Sequence, residues 1–313
     1  MGGIKLNNMK LYKINGEKIS SLSSITFKLE KDIQSLIEKN LEELFNIQFV
    51  KSELSIKNFR IDTLGYNKET NSFVIIEYKK ERNFSVIDQG YTYLSLLLNH
   101  KAEFVLEYNE NTNQQIKRDD VDWSQSKVIF ISPSYTEYQK HSVNFRDVPF
   151  ELWEIKQFEN NLLSLTQQKN TSTESISSVE VDNGGVVKEV TKEIKVYTED
   201  YHFERRNVND TIKELYSTLK DRITGLGEID VVPRSTYIGF KRRTNFVDID
   251  FQKGNLWLWI NLPKGKLDDP KELSRDISSI GHYGNGDYEL KVFPDTDLDY
   301  VMFLINQSYK NQE

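Results

Sequence analysis

The sequence contains no cysteine, and this absence sets the first limits on the protein. Disulfide bonds and thiolate metal sites are excluded, and a cytoplasmic location is the natural expectation. The chain also lacks any apolar run as long as a membrane-spanning helix, and no secretory signal peptide is visible. We therefore expect neither a membrane partner nor a disulfide-stabilised scaffold.

A second absence is that of a basic region. The net charge is −7, and it is spread along the chain. Residues 1–160 carry 21 Lys and Arg against 23 Asp and Glu, residues 161–199 carry 4 against 6, and residues 200–313 carry 16 against 19. A nucleic-acid-binding protein of this composition must hold phosphates through local groups of cations. The charge balance permits a nucleic-acid partner but does not indicate one.

Aromatic residues, by contrast, are abundant: 17 Phe and 16 Tyr supply core for the two domains that 313 residues suggest. After about residue 167, Ser, Thr, Val, Glu, Asn and Gly dominate, which is typical of a linker, with short β structure compatible with residues 186–196. We predict a first domain over residues 1–165, with a hairpin extension over 1–27 and a core over about 28–160. A linker over 166–200 and a second domain over 201–313 follow.

Two β-patterned runs in the first domain carry charges at their ends. Asp62 lies within the first run, residues 60–65, and the second run, residues 73–80, ends with Glu77 and Lys79. Because side chains alternate along a strand, Glu77 and Lys79 point to the same face. Unpaired charges there would be costly to desolvate. A divalent cation such as Mg²⁺ removes this cost, since carboxylates are hard oxygen ligands. An ordinary cluster of ion pairs at the sheet end is the alternative.

Two predicted helices flank these strands. Ser85 begins one of them with a capping-box pattern, and Gln89 and Tyr93 lie four residues apart on one face of it. The other helix, over residues 29–45, is amphipathic, but Glu30 falls within its apolar stripe. An acid at that position either favours the helix macrodipole or belongs to a site.

At these residues the sequence resembles the PD-(D/E)XK nucleases, and within them the branch of NucS-type mismatch endonucleases. The segments that carry the resemblance are Arg60-Ile-Asp62, Ile76-Glu77-Tyr78-Lys79 and Asp88-Gln89-Gly-Tyr-Thr-Tyr93. Ile61 replaces the proline of the family motif. The resemblance implies that Asp62 and Glu77 bind Mg²⁺, for which Mn²⁺ can substitute. The catalytic residues that it implies are Glu30, Asp62, Glu77, Lys79, Gln89 and Tyr93.

The order of predicted helices and strands indicates an α/β core with a mixed sheet, and the resemblance implies a restriction-endonuclease-like fold. Further strands are predicted over residues 102–108, 127–132 and 148–155. We predict a separate α+β second domain with an antiparallel sheet. Its strands cover residues 236–241, 246–251, 255–262 and 288–293, and its helices begin at Asp210, Asp269 and Leu298. This domain resembles a domain of unknown function that occurs behind such nuclease domains.

Five further residues are predicted to contact the substrate. Arg60 lies two residues from Asp62 on the same face, where it can hold a phosphate or pair with an acid. Lys80 and Arg82 follow the Glu77 strand. Trp257 and Trp259 share one face of a predicted strand, and aromatic rings on a sheet can stack on bases. That face could equally pack inside the protein.

The sequence therefore predicts a Mg²⁺-dependent endonuclease that acts on DNA rather than RNA and is compatible with a homodimer. Its C-terminal domain would serve recognition or regulation. The alternative is a nucleic-acid or protein binding module that retains the fold without cleaving. The acidic net charge favours the module, and the complete set of acids and lysine favours the enzyme.

Overall fold

The computed structural model of the protein describes residues 10–80, 85–176, 184–280 and 285–312. The chain divides into two compact units, residues 1–195 and residues 196–313. Each unit has its own β-sheet and its own hydrophobic core. None of the helices within the described ranges is both long and apolar enough to cross a membrane.

The first unit consists of a β-sheet with helices on both faces and a small separate hairpin. The hairpin strands are β1 (Leu11–Asn15) and β2 (Lys18–Leu22). The sheet strands are β3 (Ser24–Ile25), β4 (Gln48–Ile56), β5 (Phe59–Asn67), β6 (Ser72–Tyr78), β7 (Lys127–Ser132), β8 (Phe150–Phe158) and β9 (Leu162–Gln168). The helices are α1 (Glu30–Glu38), α2 (Leu41–Phe45), α3 (Val86–Asn99), α4 (Lys101–Thr112), α5 (Glu137–Ser142) and α6 (Gly184–Glu193).

The strand order of this sheet is β3-β8-β7-β6-β5-β4, with β9 paired to β8. β6, β7 and β8 run parallel to one another, and the other pairs are antiparallel. The prediction of a mixed sheet flanked by helices is confirmed. Every residue of β6 is buried, as expected for a central strand that is covered on both faces.

Side chains of β6 alternate between two hydrophobic cores, one on each side of the sheet. Phe73 and Ile75 belong to the core that also contains residues of α3, α4 and α6. Val74 and Ile76 belong to the core that also contains residues of α1 and α2. By the same alternation, Glu77 lies on the α3 side of the sheet.

Over residues 196–280 and 285–312, the second unit contains a six-stranded antiparallel sheet and three helices, and the prediction of an antiparallel sheet is confirmed. The helices are α7 (Glu199–Arg206), α8 (Asp210–Thr224) and α9 (Leu298–Lys310). The strands are β10 (Asp230–Pro233), β11 (Ile238–Lys241), β12 (Asn245–Phe251), β13 (Leu256–Ile260), β14 (Arg275–Asp276) and β15 (Tyr288–Val292), in the order β10-β11-β12-β13-β15-β14. Its core joins Leu219 of α8 and Leu304 of α9 to Ile249 and Leu258 of the sheet.

The predicted strand over residues 102–108 is wrong, because this segment lies in α4. Phe104 and Tyr108 are buried, whereas Leu106 between them is 56% exposed. In a strand these three side chains would share one face, but their burial follows the helical period. The single helix predicted over 29–45 is also wrong, since it is divided into α1 and α2.

The predicted linker over residues 166–200 is wrong over much of its length. β9 extends to Gln168 and adds a strand to the sheet, and α6 packs on α3. Val187, Val190 and Ile194 bury their side chains in the core of the first unit. Their spacing is that of an amphipathic helix, which the polar average composition of the segment concealed. The boundary between the two units falls at residue 195, so a first domain that ended at residue 165 would interrupt β9.

Asp269 does not begin a helix as predicted. Its carboxylate accepts hydrogen bonds from Ser274 N at 2.7 Å, from Ser274 Oγ at 2.6 Å and from the Tyr300 hydroxyl at 2.6 Å. These bonds close a loop that leads into β14. A helix capped by Asp269 would need the same carboxylate to accept from the backbone N–H groups of its first turn. The prediction that Asp210 caps a helix is wrong by one residue, because α8 begins at Asp210 and Asn209 is the residue that caps it.

Candidate active site

Asp62 of β5 and Glu77 of β6 are neighbours at the point where the two strands separate. The last ladder pair of these strands joins Thr63 to Ile76. Continued by one residue, this register sets Asp62 opposite Glu77 on the same face of the sheet. Asp62 Oδ2 also accepts a hydrogen bond of 3.1 Å from the backbone N–H of Tyr78. The fold therefore brings together the two acids that the sequence singled out.

The carboxylate of Glu77 is buried and only partly satisfied. Its residue is 3% exposed. Oε1 accepts hydrogen bonds from Lys79 Nζ at 2.7 Å and from Gln89 Nε2 at 2.7 Å. Oε2 is buried without a hydrogen-bond partner. Because a buried acceptor without a donor costs free energy, this oxygen has the capacity for one further partner.

The surroundings of both acids disfavour their charged forms. Burial raises the pKa of the Asp62 carboxyl above its ordinary value, against the opposing effects of the Tyr78 N–H and of Lys79. Burial also raises the pKa of the Glu77 carboxyl, and the negative charge of Asp62 adds to that increase. Neighbouring carboxyls shifted in this way would be stabilised by an added positive charge.

Helix α3 is held close to the sheet at the residues that precede the site. Ser85 caps the helix by accepting a hydrogen bond of 3.3 Å from Asp88 N. A Cβ at Gly90 would lie 2.5 Å from the ring of Phe150, so glycine allows the helix to approach β8 this closely. This approach brings the polar face of α3 within reach of the strand ends.

Gln89 and Tyr93, on that face of α3, connect Glu77 to the neighbouring strand. Besides its bond to Glu77, Gln89 Nε2 donates to the Tyr93 hydroxyl at 3.0 Å. The Tyr93 hydroxyl donates in turn to the backbone carbonyl of Arg60 at 3.2 Å. Burial, followed by the charge of Glu77, raises the pKa of Tyr93, so this hydroxyl keeps its proton at neutral pH. The two side chains fix Glu77 relative to β5.

Glu30 lies at the edge of this group of residues, at the start of α1. Its Oε1 accepts a hydrogen bond of 2.8 Å from Lys80 N, immediately after β6. Its negative charge also contributes to the raised pKa of Asp62. Lys80 Nζ donates to the Lys28 carbonyl at 2.6 Å, and the Lys80 side chain is exposed. Glu30 therefore lies close to the acid pair without being bonded to it.

The exposed cations beside the site include Arg60 and Lys31, and one acid holds both. Within the described ranges Arg60 Nε pairs with Glu53 Oε2 rather than with Asp62 or Glu77. Lys31 Nζ bonds Glu53 Oε1 at 2.8 Å. The Lys31 hydrogen bond is the largest cause that lowers the pKa of Glu53, so this acid is charged at neutral pH. Sequence analysis named Arg60 but missed Lys31 and Glu53.

A buried amide that the sequence analysis also missed supports this region from α1. Gln34 donates from Nε2 to the backbone carbonyl of Asp62 at 2.9 Å and to Glu38 Oε1 at 2.9 Å. Glu38 also accepts a bond of 2.6 Å from Thr63 Oγ1. The available signal was the spacing of Glu30, Gln34 and Glu38, each four residues from the next and so on one helix face.

Across the residues that the structure describes, no group of three or more His, Cys, Asp or Glu side chains is arranged to hold a metal ion. The candidate site offers two carboxylates, Asp62 and Glu77. Their hard oxygen donors, and the buried Glu77 oxygen that lacks a partner, fit a divalent cation such as Mg²⁺ or Mn²⁺. Two protein carboxylates leave coordination positions for water or substrate.

The other predicted substrate contacts are Arg82, Trp257 and Trp259. Arg82 lies outside the described residues. Trp259 is 2% exposed and packs against Tyr237 and Ile277 in the second unit. A ring buried to this degree cannot stack on a base, so its assignment as a substrate contact is wrong. Trp257 is half-buried, with Lys291 Nζ at 5.2 Å from its ring centroid.

Comparisons with solved structures find limited likenesses. A repair endonuclease from Pyrococcus abyssi matches at 18% identity and a TM-score of 0.22, over 39% of this chain and 45% of that one. A structure of EndoMS with double-stranded DNA matches at 17% identity and a TM-score of 0.23, over 42% and 44%. The chain thus covers less than half the length of either protein. A structure of Pyrococcus furiosus SfsA in complex with Ca²⁺ matches at 13% identity and a TM-score of 0.24, over 50% of this chain and 73% of that one. At TM-scores this low, these likenesses support no conclusion on fold or activity.

Comparisons of sequence give a firmer result. Residues 199–312 match the family described as domain of unknown function DUF5655, so the expected domain of that kind is present in the second unit. An uncharacterized protein from Haemophilus influenzae is 47% identical over 305 residues, which span 97% of this chain and all of that protein. The chain belongs to the same family as this Haemophilus influenzae protein.

Proposed function

We propose that the protein is a divalent-metal-dependent phosphodiesterase, a nuclease whose active site is formed by Asp62, Glu77 and Lys79. One observation carries the proposal: Glu77 is buried beside a second acid, yet one of its carboxylate oxygens has no hydrogen-bond partner. An acid that served only the fold would be expected to have both oxygens satisfied. The unsatisfied oxygen favours a site that is completed by a cation.

Asp62 and Glu77 are the residues that would hold the cation, with Mg²⁺ as the expected ion and Mn²⁺ as a substitute. When bound, such an ion lowers the pKa of a water and neutralises charge that builds up on a phosphoryl group. The raised pKa values of both carboxyls support this assignment, because binding a cation offsets the free-energy cost of burying two negative charges.

Lys79 is the residue that we assign to the phosphoryl group. Its ammonium bonds Glu77 Oε1 at 2.7 Å, so its positive charge and its N–H donors are held beside the acid pair. These donors can hold a water for attack or bond a non-bridging phosphate oxygen in the transition state. Gln89 and Tyr93 keep Glu77 in position, and Glu30 is assigned to the edge of the site.

DNA is the substrate that we propose, and the phosphates would be held by cations around the site. Arg60, Lys31 and Lys80 are exposed, and a DNA phosphate would compete with Glu53 for the first two of these cations. The resemblance of the Arg60–Tyr93 segment to mismatch endonucleases favours DNA over RNA. For the second unit we propose a recognition or regulatory role, since its buried acids are already paired.

The second candidate is a binding module that retains this arrangement without cleaving. The net charge of −7 favours it, because strong nucleic-acid binding normally uses a basic surface. The module would still need the acid pair for a structural cation, or it would bind a protein partner instead.

Cleavage assays with different metals separate these candidates. The full chain is incubated with supercoiled, linear, single-stranded and mismatched DNA in Mg²⁺, Mn²⁺ or EDTA. We expect cleavage of at least one substrate that stops in EDTA, and Mn²⁺ binding by calorimetry without DNA. A parallel preparation of Asp62→Asn controls for contaminating nucleases. DNA binding without cleavage in any metal would establish the module, and absence of both Mn²⁺ binding and cleavage would reject the enzyme.

A further inference from the structure

Asp62 occupies a gap in the backbone ladders of its sheet. β4 and β5 pair on both sides of it, through Ser52–Thr63 and Leu54–Ile61. Glu53, which the register sets opposite Asp62, has a left-handed backbone with φ of 54° and is absent from the pairing. On the other side, the pairing of β5 with β6 ends at Thr63–Ile76. Residues 48–78 are all described, so the gap is a property of these strands.

A residue in such a gap needs another partner for its backbone, because ladder hydrogen bonds normally fix the position of a strand residue. Gln34 of α1 supplies that partner. Its Nε2 donates to the Asp62 carbonyl at 2.9 Å and to Ser52 Oγ at 3.2 Å. Ser52 is the residue before Glu53, so the amide of Gln34 bonds both strands at the gap.

The Gln34 amide is itself held firmly. The residue is 4% exposed, and Nε2 also bonds Glu38 Oε1 at 2.9 Å. Its Oε1 accepts a hydrogen bond of 3.2 Å from Lys31 Nζ, which continues to Glu53. The two N–H hydrogens of the amide are shared among the three acceptors Asp62 O, Ser52 Oγ and Glu38 Oε1, and its oxygen accepts from Lys31. A buried amide with all its donors and its acceptor used has few alternative positions.

The same helix also holds the segment that follows Glu77. Glu30, one turn before Gln34, accepts the backbone N–H of Lys80. α1 thus bonds the backbone at Asp62 and the backbone just after Lys79. Because the ladder between β5 and β6 has ended at this level, these two bonds add to the Tyr78 N–H bond to Asp62 and to the pairing of β6 with β7 in holding the two acids.

We propose that Gln34 is a positioning residue of the candidate metal site, which sets the location of Asp62 through its backbone carbonyl. This inference rests on the proposed function, because it assigns Gln34 a role in how that site binds its cation. Outer residues that orient a metal ligand commonly contribute a factor of about 10–100 in metal affinity.

The test is Mn²⁺ affinity measured by calorimetry on the full chain without DNA. Gln34→Met keeps the length of the side chain and removes its hydrogen bonds, and we expect Mn²⁺ to bind about tenfold to a hundredfold more weakly. In Gln34→Met the kcat of cleavage should fall, while KM changes little because the phosphate-binding cations remain. Ser52→Ala removes a different partner of Gln34 and leaves the bond to Asp62, so its Mn²⁺ affinity should stay within about twofold.

Gln139→Met is the matched control for loss of a buried amide. Gln139 lies in α5 and is 2% exposed in the same unit, and its Oε1 accepts a hydrogen bond of 2.9 Å from the backbone N–H of Thr136, which caps that helix. A comparable fall in melting temperature with unchanged Mn²⁺ affinity is expected. If Gln34→Met does not fold, Gln34→Asn keeps an amide that is too short for the Asp62 carbonyl and serves the same comparison.

Wild-type Mn²⁺ affinity in a folded Gln34→Met or Gln34→Asn protein would overturn the inference, as would an equal loss in Gln139→Met. Failure of both Gln34 variants to fold would also overturn it and make Gln34 a requirement for folding. If the wild-type chain neither binds Mn²⁺ nor cleaves, the proposed function itself fails. The readouts on wild type and variants therefore distinguish the two failures.

Discussion

Both units of the chain bury carboxylates on a β-sheet, but they satisfy them differently. In the second unit, Asp248 is fully buried on β12 and accepts hydrogen bonds at 2.8–3.4 Å from the side chains or backbone of Asn245, Asn261 and Asn285. Asp250, two residues further along β12, forms an ion pair with Arg206 and accepts a hydrogen bond of 3.0 Å from Gln252 Nε2. In the first unit, Glu77 has donors on one oxygen and none on the other.

The difference lies in how completely each buried charge is met by N–H donors. Asp248 receives bonds on both oxygens from three asparagines, so its charge belongs to the fold. Asp62 and Glu77 share a small number of donors, and each raises the electrostatic cost of the other. Buried acids alone therefore do not mark a site. A pair of buried acids that lacks hydrogen-bond donors, with a lysine beside it, is a much stronger indication of a functional site.

Replacing Asp62 gives the largest expected contrast between the units. Asp62→Asn keeps an oxygen that can accept from Tyr78 N but loses the negative charge. We expect cleavage to fall by roughly a thousandfold or more, because several kcal/mol of metal-dependent stabilisation is lost. Melting temperature in EDTA at pH 7 should rise, because one of two buried, mutually repelling charges is removed. Asp248→Asn, the matched change in the second unit, should leave the cleavage rate of the full chain unchanged. Cleavage at the wild-type rate by Asp62→Asn would refute the assignment of the site.

The cation partners sharpen the same comparison. Lys79→Ala should lower turnover by about a hundredfold to a thousandfold, because the ammonium acts on charge that develops in the transition state. Its Mn²⁺ affinity should stay within a few-fold in calorimetry. Arg206→Ala removes the partner of Asp250 and should cost stability without loss of turnover. Loss of Mn²⁺ binding in Lys79→Ala, or undiminished turnover, would contradict this role.

Asp248 should matter for stability and not for metal binding. Asp248→Ala leaves the asparagine donors around it without an acceptor, and we expect the free energy of unfolding of the second unit to fall by about 3 kcal/mol. Urea unfolding of the full chain measures this, followed through the transition that Trp257 and Trp259 report. Mn²⁺ affinity should be unchanged. A variant as stable as wild type would show that these bonds are not needed.

The smallest expected effect is on the pH dependence of stability without metal. The Asp62 and Glu77 carboxyls have pKa values raised from ordinary values of 3.8 and 4.5. Between the ordinary and the raised values the folded state binds more protons than the unfolded state, so stability falls as pH rises through that window. Above the raised pKa values both carboxyls are charged, and the full loss of stability from burying these charges is reached. Lowering the pH from 7 towards 4 in EDTA should relieve it.

Comparing wild type with Asp62→Asn isolates this effect from other titrating groups. The variant should melt at a higher temperature than wild type at pH 7, and the difference should shrink in acid as the wild-type carboxyls bind protons. Mn²⁺ affinity of the wild type should weaken over the same window. A difference that is constant from pH 7 to pH 4 would argue against a shared, raised titration of the pair.

Much of the candidate site could be predicted from the sequence because its signals are local. Glu77 and Lys79 share a face through strand alternation, and Gln89 and Tyr93 share a face through the helical period. Both periods depend only on backbone geometry, and the structure joins these residues in one hydrogen-bonded group. The catalytic roles of these residues and the binding of a divalent cation remain predictions.

Other features depended on partners that are distant in sequence, and only the tertiary structure decided them. Gln34 bonds Asp62 across 28 positions, at a ladder gap that no local pattern reveals. Residues 102–108 had a β-like composition, but burial of Phe104 and Tyr108 against the sheet selected the helix. The sequence left open whether Trp259 stacks on bases or packs inside the protein, and its contacts with Tyr237 and Ile277 show that it is packed inside. Backbone periodicity thus determined which side chains share a face, whereas long-range packing determined which faces are buried and which charges remain unpaired.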